Sequence, residues 1–323
     1  MLKYSMNIFN IIKDTQDFKS LCSEIKANTI SKSILLFSKD SFYAEEFSKA
    51  LAVSLLNNGE MEENENYLKV ISNSHPDVKT YPQKDKLLVS DSEEIVMESF
   101  IKPIFSDKKI FIIKNIDNSM ESAQNKLLKV LEEPPCNVYF IITCVNENLL
   151  LPTIKSRCSK FELSKIDRLL IEKELGSVSE KELISSICDG KLGKAIDIAE
   201  KKNVREIFDL AVSLLVEMKS SKQVLLFSNK ISKIKNEYNL LFEILCLLLE
   251  DLLFIKAGEN QKARFKDALS KLESVSIEYS IKAICEIQSL IDKAVKEMSY
   301  NGNVTLIIEN LLLNILEVKY ICR

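Results

Sequence analysis

Three short, nearly continuous apolar runs in the first half of the chain constrain its fold most. They are Ile34–Phe37, Ile110–Ile113 and Val138–Thr143. Runs of this kind are typical of strands that are buried on both faces of a parallel sheet. A fourth and shorter run, Leu87–Val89, is interpreted in the same way.

Amphipathic stretches separate these runs. Ala44–Leu56 and Ser122–Glu133 have the spacing of helices with one apolar face, and a proline pair ends the second of them. Another helix is predicted to open at Asp91, because Asp91 and Glu94 have the spacing of a capping box. Strands alternating with helices predict an α/β domain with a parallel sheet flanked by helices.

The second half of the chain has a different pattern. After about residue 165 no convincing strand is found, and all six prolines lie at or before Pro152. Residues 166–203 are predicted to form short helices around the turn Asp189–Gly193, and long helices are predicted from Val204 onward. Three domains are therefore expected: an α/β domain (1–165), a small helical lid domain (166–205) and an all-α domain (206–323).

Composition excludes some classes of function. The formal net charge of −3 over 323 residues argues against a chain that binds nucleic acid over its whole surface. The most apolar stretch, Leu240–Ile255, contains three acidic residues and fits a buried helix better than a membrane span. The eight cysteines are scattered without a C-x-x-C pair, and no segment resembles a signal peptide. A cytoplasmic protein without a disulfide framework is expected.

A phosphate-binding loop would be expected after the first strand of such a sheet. It needs glycines, a lysine and a hydroxyl side chain to hold phosphates and Mg²⁺. The corresponding segment contains no glycine, and acidic side chains stand where the lysine and the hydroxyl should be. The residues of this degenerate loop are Lys39, Phe42, Ala44, Glu45 and Glu46.

The second nucleotide-binding element would be a strand that ends in acidic residues that hold Mg²⁺. The strand at Ile110–Ile113 instead runs into Lys114 and Asn115. Two independent elements have lost the residues that ATP hydrolysis needs. We therefore expect no bound cofactor and no ATP hydrolysis by this chain.

Other catalytic sites find little support in the sequence. His75 is the only histidine, and its position beside a proline predicts a turn residue. No serine lies in a G-x-S-x-G elbow. The carboxylate pairs Glu93–Glu94 and Glu132–Glu133 fall within helices and are interpreted as solvated.

Three segments carry a resemblance to a known family. Asn125–Pro135 resembles the N-A-L-L-K-T-L-E-E-P-P signature of bacterial DNA polymerase III clamp-loader subunits, which are AAA+ proteins. Leu150–Cys158 contains their Ser-Arg-Cys motif, and His75–Asp77 matches a turn that precedes a strand in the family. The motifs agree in order and spacing over residues 20–165, and Gly190–Ala195 resembles the family's glycine turn in the second domain.

The resemblance implies an AAA+ unit followed by a helical collar domain, through which five subunits form a ring. The missing nucleotide-binding residues are similar to those of the delta-prime type, which does not hydrolyse ATP. Gamma/tau and delta subunits are the implied partners, and the complex would load the sliding clamp on primed DNA using ATP. The alternatives are an ATP-hydrolysing gamma/tau-type subunit and an AAA+-derived scaffold outside replication.

The resemblance also implies a role for Arg157, as an arginine finger offered to ATP bound in the neighbouring subunit. Ser156 and Cys158 complete its motif and shape the turn. The alternative is a surface arginine paired with a carboxylate. Many members of the family hold zinc with four cysteines, but Asn57–Ser74 contains none, so no metal is expected. No residue is assigned to DNA contact. For Lys102, Lys126 and Lys129 the alternatives are contact with DNA phosphates inside the ring and a solvated helix face.

Overall fold

The computed structural model describes residues 8–176, 178–234, 237–300 and 302–321. The chain divides into two compact units. The first contains residues 1–178 and 188–197, and the second contains residues 179–187 and 198–323. The division into three domains stays a prediction.

The first unit is built on a five-stranded sheet in the order β2-β3-β4-β1-β5. Every pair of neighbouring strands is parallel, with Leu35 opposite Ile142 and Ile112 opposite Ile141. The strands are β1 (Ser33–Phe37), β2 (Val78–Tyr81), β3 (Lys109–Ile113), β4 (Val138–Cys144) and β5 (Ser159–Glu162). The predicted parallel α/β fold is confirmed.

Helices flank this sheet and surround its core. The helices are α1 (Ile8–Asp14), α2 (Gln16–Lys26), α3 (Ser41–Leu56), α4 (Glu65–Ile71), α5 (Val89–Ser99), α6 (Glu121–Glu132), α7 (Pro152–Lys155) and α8 (Arg168–Leu175). Phe111 and Phe140 stack on the neighbouring central strands with ring centroids 5.4 Å apart. The central strands are buried because helices cover the sheet, which explains their unbroken apolar sequence.

The expected strand at Leu87–Val89 is wrong. Val89 begins α5, and Leu87 is a core residue just before that helix. A run of three apolar residues cannot be told from a helix start by periodicity alone. Asp91 lies in the first turn of α5 instead of preceding it, and its carboxylate accepts the Leu88 N–H at 2.8 Å.

The two outer strands, β2 and β5, carry polar residues and leave no apolar run in the sequence. An edge strand is covered less completely than a central one, and the side chains of β2 are mostly half-buried and those of β5 mostly exposed. β2 is the strand that the family resemblance implies after the His75–Asp77 turn, whereas β5 was not expected.

The second unit is helical, as predicted. Its α-helices from residue 204 onward are α11 (Val204–Glu217), α12 (Ser221–Lys233), α13 (Tyr238–Lys256), α14 (Leu269–Val275), α15 (Ile281–Ser299) and α16 (Val304–Ile321). Two short helices, α9 (Lys181–Cys188) and α10 (Leu192–Ala199), fall where the division between the units runs. The apolar stretch Leu240–Ile255 lies in α13, which buries most of its leucines. In the described part of the chain, no helix has the length and apolar character to span a membrane.

Candidate functional site

The N-terminus of α3 lies at the carboxyl end of β1, where a phosphate-binding loop would end. Asp40 caps this helix, and its carboxylate accepts the Tyr43 N–H at 3.2 Å. The Ser38 hydroxyl in turn accepts the Asp40 N–H at 3.1 Å. A carboxylate is favourable at this position because the first N–H groups of a helix and its dipole attract negative charge.

The same carboxylate reaches a second helix. Asp40 accepts the Gly193 N–H at 3.1 Å, and Gly193 lies in the first turn of α10. A methyl group on Gly193 would stand only 2.8 Å from the Phe42 Cβ. The glycine therefore allows the close approach that brings its N–H to Asp40.

The carboxyl end of β3 is tied to the first turns of α3. Asn115 adopts a left-handed conformation (φ 46°), and its N–H donates to the Thr143 hydroxyl at 2.8 Å. The Ser41 hydroxyl donates to Asn115 Oδ1 at 3.1 Å, and Asn115 Nδ2 donates to Glu45 Oε1 at 3.3 Å. Lys114 Nζ lies 3.5 Å from the other oxygen of Glu45. The residues that stand for the two nucleotide-binding elements therefore form one polar cluster.

This cluster is a poor fit for MgATP. A triphosphate at the start of α3 would meet the Asp40 and Glu45 carboxylates, and no glycine in the loop allows the backbone to approach it. Lys39 is exposed, Ala44 is buried and Glu46 forms an ion pair with a lysine one turn away. None of these side chains supplies the missing phosphate or Mg²⁺ ligands.

A cavity of about 490 Å³ nevertheless opens beside the degenerate loop. Its lining includes three lysines and the buried Tyr43. The lysines are Lys39, Lys165 and Lys191, and Lys165 is paired with Asp189 at 2.6 Å. If the chain were an ATP-hydrolysing subunit, its nucleotide would have to bind in this cavity.

Arg157 follows the short helix α7 on the surface of the first unit. Its Nε lies 2.8 Å from Glu132 Oε2, and its Nη1 donates to the Thr153 carbonyl at 3.2 Å. The Arg157 side chain is 28% exposed and the Glu132 side chain 57% exposed. The contact to a carboxylate is the one that the alternative interpretation of Arg157 predicts, and the finger role stays a prediction.

The neighbours of Arg157 have structural contacts. The Ser156 hydroxyl donates to the Thr153 carbonyl at 3.1 Å, which closes the turn after α7. Cys158 packs against the sheet core, and burial raises the pKa of its thiol to about 12. A thiol with so high a pKa is a poor nucleophile.

The helix α6 holds the segment that carries Arg157. The buried Gln124 accepts the Leu151 N–H at 3.0 Å at the start of α7. Gln124 also donates to the Leu149 carbonyl at 3.3 Å. Together with Glu132 near the other end of the segment, α6 fixes residues 149–157 at two places.

The turn His75–Asp77 organises a loop that the sequence did not single out. His75 is buried and its Nδ1 accepts the Asp77 N–H at 3.1 Å, which confirms the predicted turn role. Burial lowers the pKa of His75. The Asp77 carboxylate accepts the N–H groups of Ile104, Phe105 and Ser106, each at 2.7 Å. In the sequence, the sole sign of this loop anchor is the aspartate of the His75–Asp77 turn.

The carboxylate pairs Glu93–Glu94 and Glu132–Glu133 are exposed, as predicted, but three of these side chains also have partners on other elements. Glu93 pairs with Lys126 at 2.8 Å, and Glu94 accepts the Tyr81 hydroxyl at 2.8 Å. Glu132 binds Arg157, as described above. Helix spacing places these residues on exposed faces but does not show which side chains other elements bring to them.

Groups of three or more His, Cys, Asp or Glu side chains that could hold a metal ion do not occur among the residues that the structure describes. The absence of a metal in the functional protein stays a prediction.

Comparisons with known proteins agree on one family. Residues 13–167 match the family model described as DNA polymerase III, delta subunit. The chain is 26% identical to the DNA polymerase III subunit gamma of Buchnera aphidicola over 273 residues, which are 72% of each chain. It is 24% identical to the DNA polymerase III subunit delta' of Bacillus subtilis over 264 residues, which are 78% of this chain and 79% of that one.

These matches confirm the resemblance to DNA polymerase III clamp-loader subunits that the three sequence motifs predict. In fold, the chain resembles a gamma subunit-related protein of Thermotoga maritima, with a TM-score of 0.50 and 20% sequence identity. That similarity covers 94% of this chain and 100% of the other.

Proposed function

We propose that this chain is the delta-prime-type subunit of its clamp loader, a member of the ring that does not hydrolyse ATP itself. The observation that carries the proposal is the Asp40 carboxylate at the N-terminus of α3, in a loop without glycine. A negative side chain at that position repels the phosphates that an active subunit binds there. Lys114 and Asn115 at the end of β3 support it, because neither is an acidic Mg²⁺ ligand.

In this function the chain assembles with gamma/tau and delta subunits in a pentameric ring. The ring loads the sliding clamp on primed DNA at the expense of ATP bound in its gamma/tau members. Arg157 is offered to ATP in the neighbouring subunit, where a guanidinium neutralises charge that develops on the transferred phosphoryl group. Arginine fingers contribute about 10³–10⁵ in rate in GTPases.

The first test measures MgATP binding and turnover by the chain alone. The proposal expects neither saturable binding nor turnover. Saturable binding accompanied by turnover would identify a gamma/tau-type ATPase, which is the alternative that the cavity beside the loop favours.

The second test is the ATPase of a complex reconstituted from gamma/tau, delta and this chain, with clamp and primed DNA. Arg157→Ala is compared with the parent after both are shown to assemble equally. A large loss of turnover is expected. Arg168→Ala is the matched control, since Arg168 also forms an exposed ion pair but lies outside the motif, 2.7 Å from Glu172.

The partners themselves separate the proposal from a scaffold outside replication. Capture of gamma/tau and delta by the tagged chain is expected. A chain that assembles with neither subunit under conditions where they bind each other would exclude the proposed function.

A further inference from the structure

The ion pair between Arg157 and Glu132 joins two motifs that are separate in the sequence. Glu132 is the last residue of α6, and Arg157 follows α7, 25 positions later. Their side chains meet at 2.8 Å through Arg157 Nε and Glu132 Oε2. The glutamate next to it, Glu133, is also exposed and lies just past the helix.

We propose that Glu132 is a positioning residue for Arg157, which it holds in the orientation needed for contact with a phosphate of the neighbouring subunit. The inference rests on the proposed role of Arg157. Glu132 engages the Nε edge of the guanidinium, and the Thr153 carbonyl engages Nη1. Neither contact uses Nη2, which lies beside Nε in the group and keeps N–H donors for an incoming anion.

The geometry explains why a carboxylate is useful there. A long arginine side chain loses considerable rotamer entropy when it is fixed in one orientation. A partner on its own chain fixes much of that orientation before the neighbouring nucleotide arrives. Glu132 directly follows the buried Leu131 of α6, so the packing of that helix holds the backbone that carries the carboxylate.

The helix that carries Glu132 also holds the backbone that carries Arg157. Gln124 of α6 accepts the Leu151 N–H at 3.0 Å. Both ends of the Leu151–Arg157 segment are therefore hydrogen-bonded to the same helix. A displacement of α7 relative to α6 would therefore have to break both contacts. Glu132 of α6 and the Thr153 carbonyl of α7 together position the guanidinium.

The opposite role for Glu132 is competition, in which its carboxylate and the phosphate contend for Arg157. The observed contacts favour positioning, because Glu132 binds Nε and the Thr153 carbonyl binds Nη1, so the Nη2 donors stay available to another acceptor. The two roles predict opposite changes in ATP turnover when Glu132 is removed. Removing a positioning residue lowers turnover, whereas removing a competitor raises it.

The test uses the reconstituted complex with clamp and primed DNA and compares Glu132→Ala with Glu133→Ala. Assembly of each variant is measured first. Glu132→Ala is expected to lower ATP turnover about two- to fivefold, the size that an exposed ion pair allows. The variant should have a lower kcat and nearly the same KM for ATP, because the finger acts in the transition state. Glu133→Ala should keep the parent turnover.

The double variant Glu132→Ala/Arg157→Ala separates a positioning role from a general structural one. If Glu132 acts through Arg157, its removal adds no further loss once Arg157 is absent. An equal loss in both backgrounds, an equal loss in Glu133→Ala, or a gain of turnover in Glu132→Ala would overturn the inference. A loss in Arg157→Ala with none in Glu132→Ala would overturn the inference alone, whereas no loss in Arg157→Ala would remove the finger role and the inference together.

Discussion

The Asp40 carboxylate accepts the backbone N–H of Gly193 at 3.1 Å, although 153 positions separate the two residues. The same side chain accepts the Tyr43 N–H at 3.2 Å. One carboxylate therefore binds the N-terminal turns of two helices, α3 and α10, where the helix dipoles favour a negative charge. The N-terminus of a helix is an anion-binding site, and here the Asp40 side chain of the same chain is the anion that binds there.

The first prediction concerns the stability that Asp40 provides. Asp40→Ala removes the cap of α3 and the acceptor for Gly193, so the free energy of unfolding should fall by about 1–2 kcal/mol. Asp40→Asn should cost less, since an asparagine oxygen also caps a helix. Urea unfolding followed by circular dichroism measures both changes.

Asp85→Ala is the control for Asp40, because Asp85 is exposed and lies between β2 and α5. It should change stability by less than about 0.5 kcal/mol. Equal stability of Asp40→Ala and Asp85→Ala would mean that the two helix contacts contribute nothing. We also expect no ATP turnover in Asp40→Ala, because removing the acid does not supply glycines to the loop.

A second prediction follows from the three N–H groups that Asp77 accepts. Burial opposes the ionisation of Asp77, but the hydrogen bonds from Ile104, Phe105 and Ser106 outweigh it and lower the pKa of the carboxyl. A group with a lowered folded pKa adds stability above its unfolded pKa, and this stability is lost as the pH falls through the folded value. The contribution of Asp77 should therefore be complete at neutral pH and decline below about pH 4.

Asp77→Asn tests this contribution and should lower the free energy of unfolding by about 2–4 kcal/mol at pH 7. Its stability should then fall less steeply than that of the parent between about pH 4 and pH 2. Amide hydrogen exchange should accelerate at residues 104–106. Asp107→Asn is the control in the same loop, and exchange at 104–106 that is equally fast in the two variants would contradict the anchoring role.

The sequence predicts the central part of the fold because burial leaves a clear pattern. β1, β3 and β4 are covered on both faces, and each appears as an apolar run. The edge strands β2 and β5 leave no such run, since the polar side chains among their residues interrupt it.

The candidate site was predictable in composition but not in its contacts. The missing glycines, Lys114 and Asn115 can be read directly in the sequence. The bond from Gly193 to Asp40 and the pairing of Glu132 with Arg157 cannot, because both join residues far apart in the chain. Such contacts depend on how the helices are placed around the sheet, which local patterns do not specify.

A third prediction concerns the left-handed position at the end of β3. Asn115→Asp keeps a residue type that tolerates φ of 46°, so the backbone should not change. The substitution replaces an amide donor by a carboxylate about 3 Å from Glu45, and the free energy of unfolding should fall by about 1 kcal/mol at low ionic strength. High salt should reduce the loss.

Asn118→Asp is the control for this substitution, because Asn118 is exposed in the turn that follows. A loss that is the same in both variants would show that the added charge, and not the neighbouring Glu45, is responsible. Asn115→Asp should also fail to give Mg²⁺-dependent ATP turnover, since the glycine loop is still missing. Turnover in this variant would contradict the proposed function.

The last prediction concerns the buried ion pair of the second unit. Lys319 is 1% exposed, and its Nζ lies 2.8 Å from Glu278 Oε2. Lys219 pairs with the other Glu278 oxygen at 3.0 Å. Burial opposes the ionisation of Glu278, but the bonds from the two lysines outweigh it and lower the pKa of the carboxyl.

Glu278→Gln takes the counter-charge from a buried lysine and should lower the free energy of unfolding by about 3 kcal/mol or more at pH 7. Because the folded pKa of Glu278 is lowered, the parent keeps this stability above about pH 4.5 and loses it as the pH falls further. The double variant Glu278→Gln/Lys319→Met removes both charges and should recover much of the loss, since no buried charge is left without a partner. Glu317→Gln, at an exposed position of α16, should leave stability unchanged, and a double variant no more stable than Glu278→Gln would show that Lys319 has a role other than balancing Glu278.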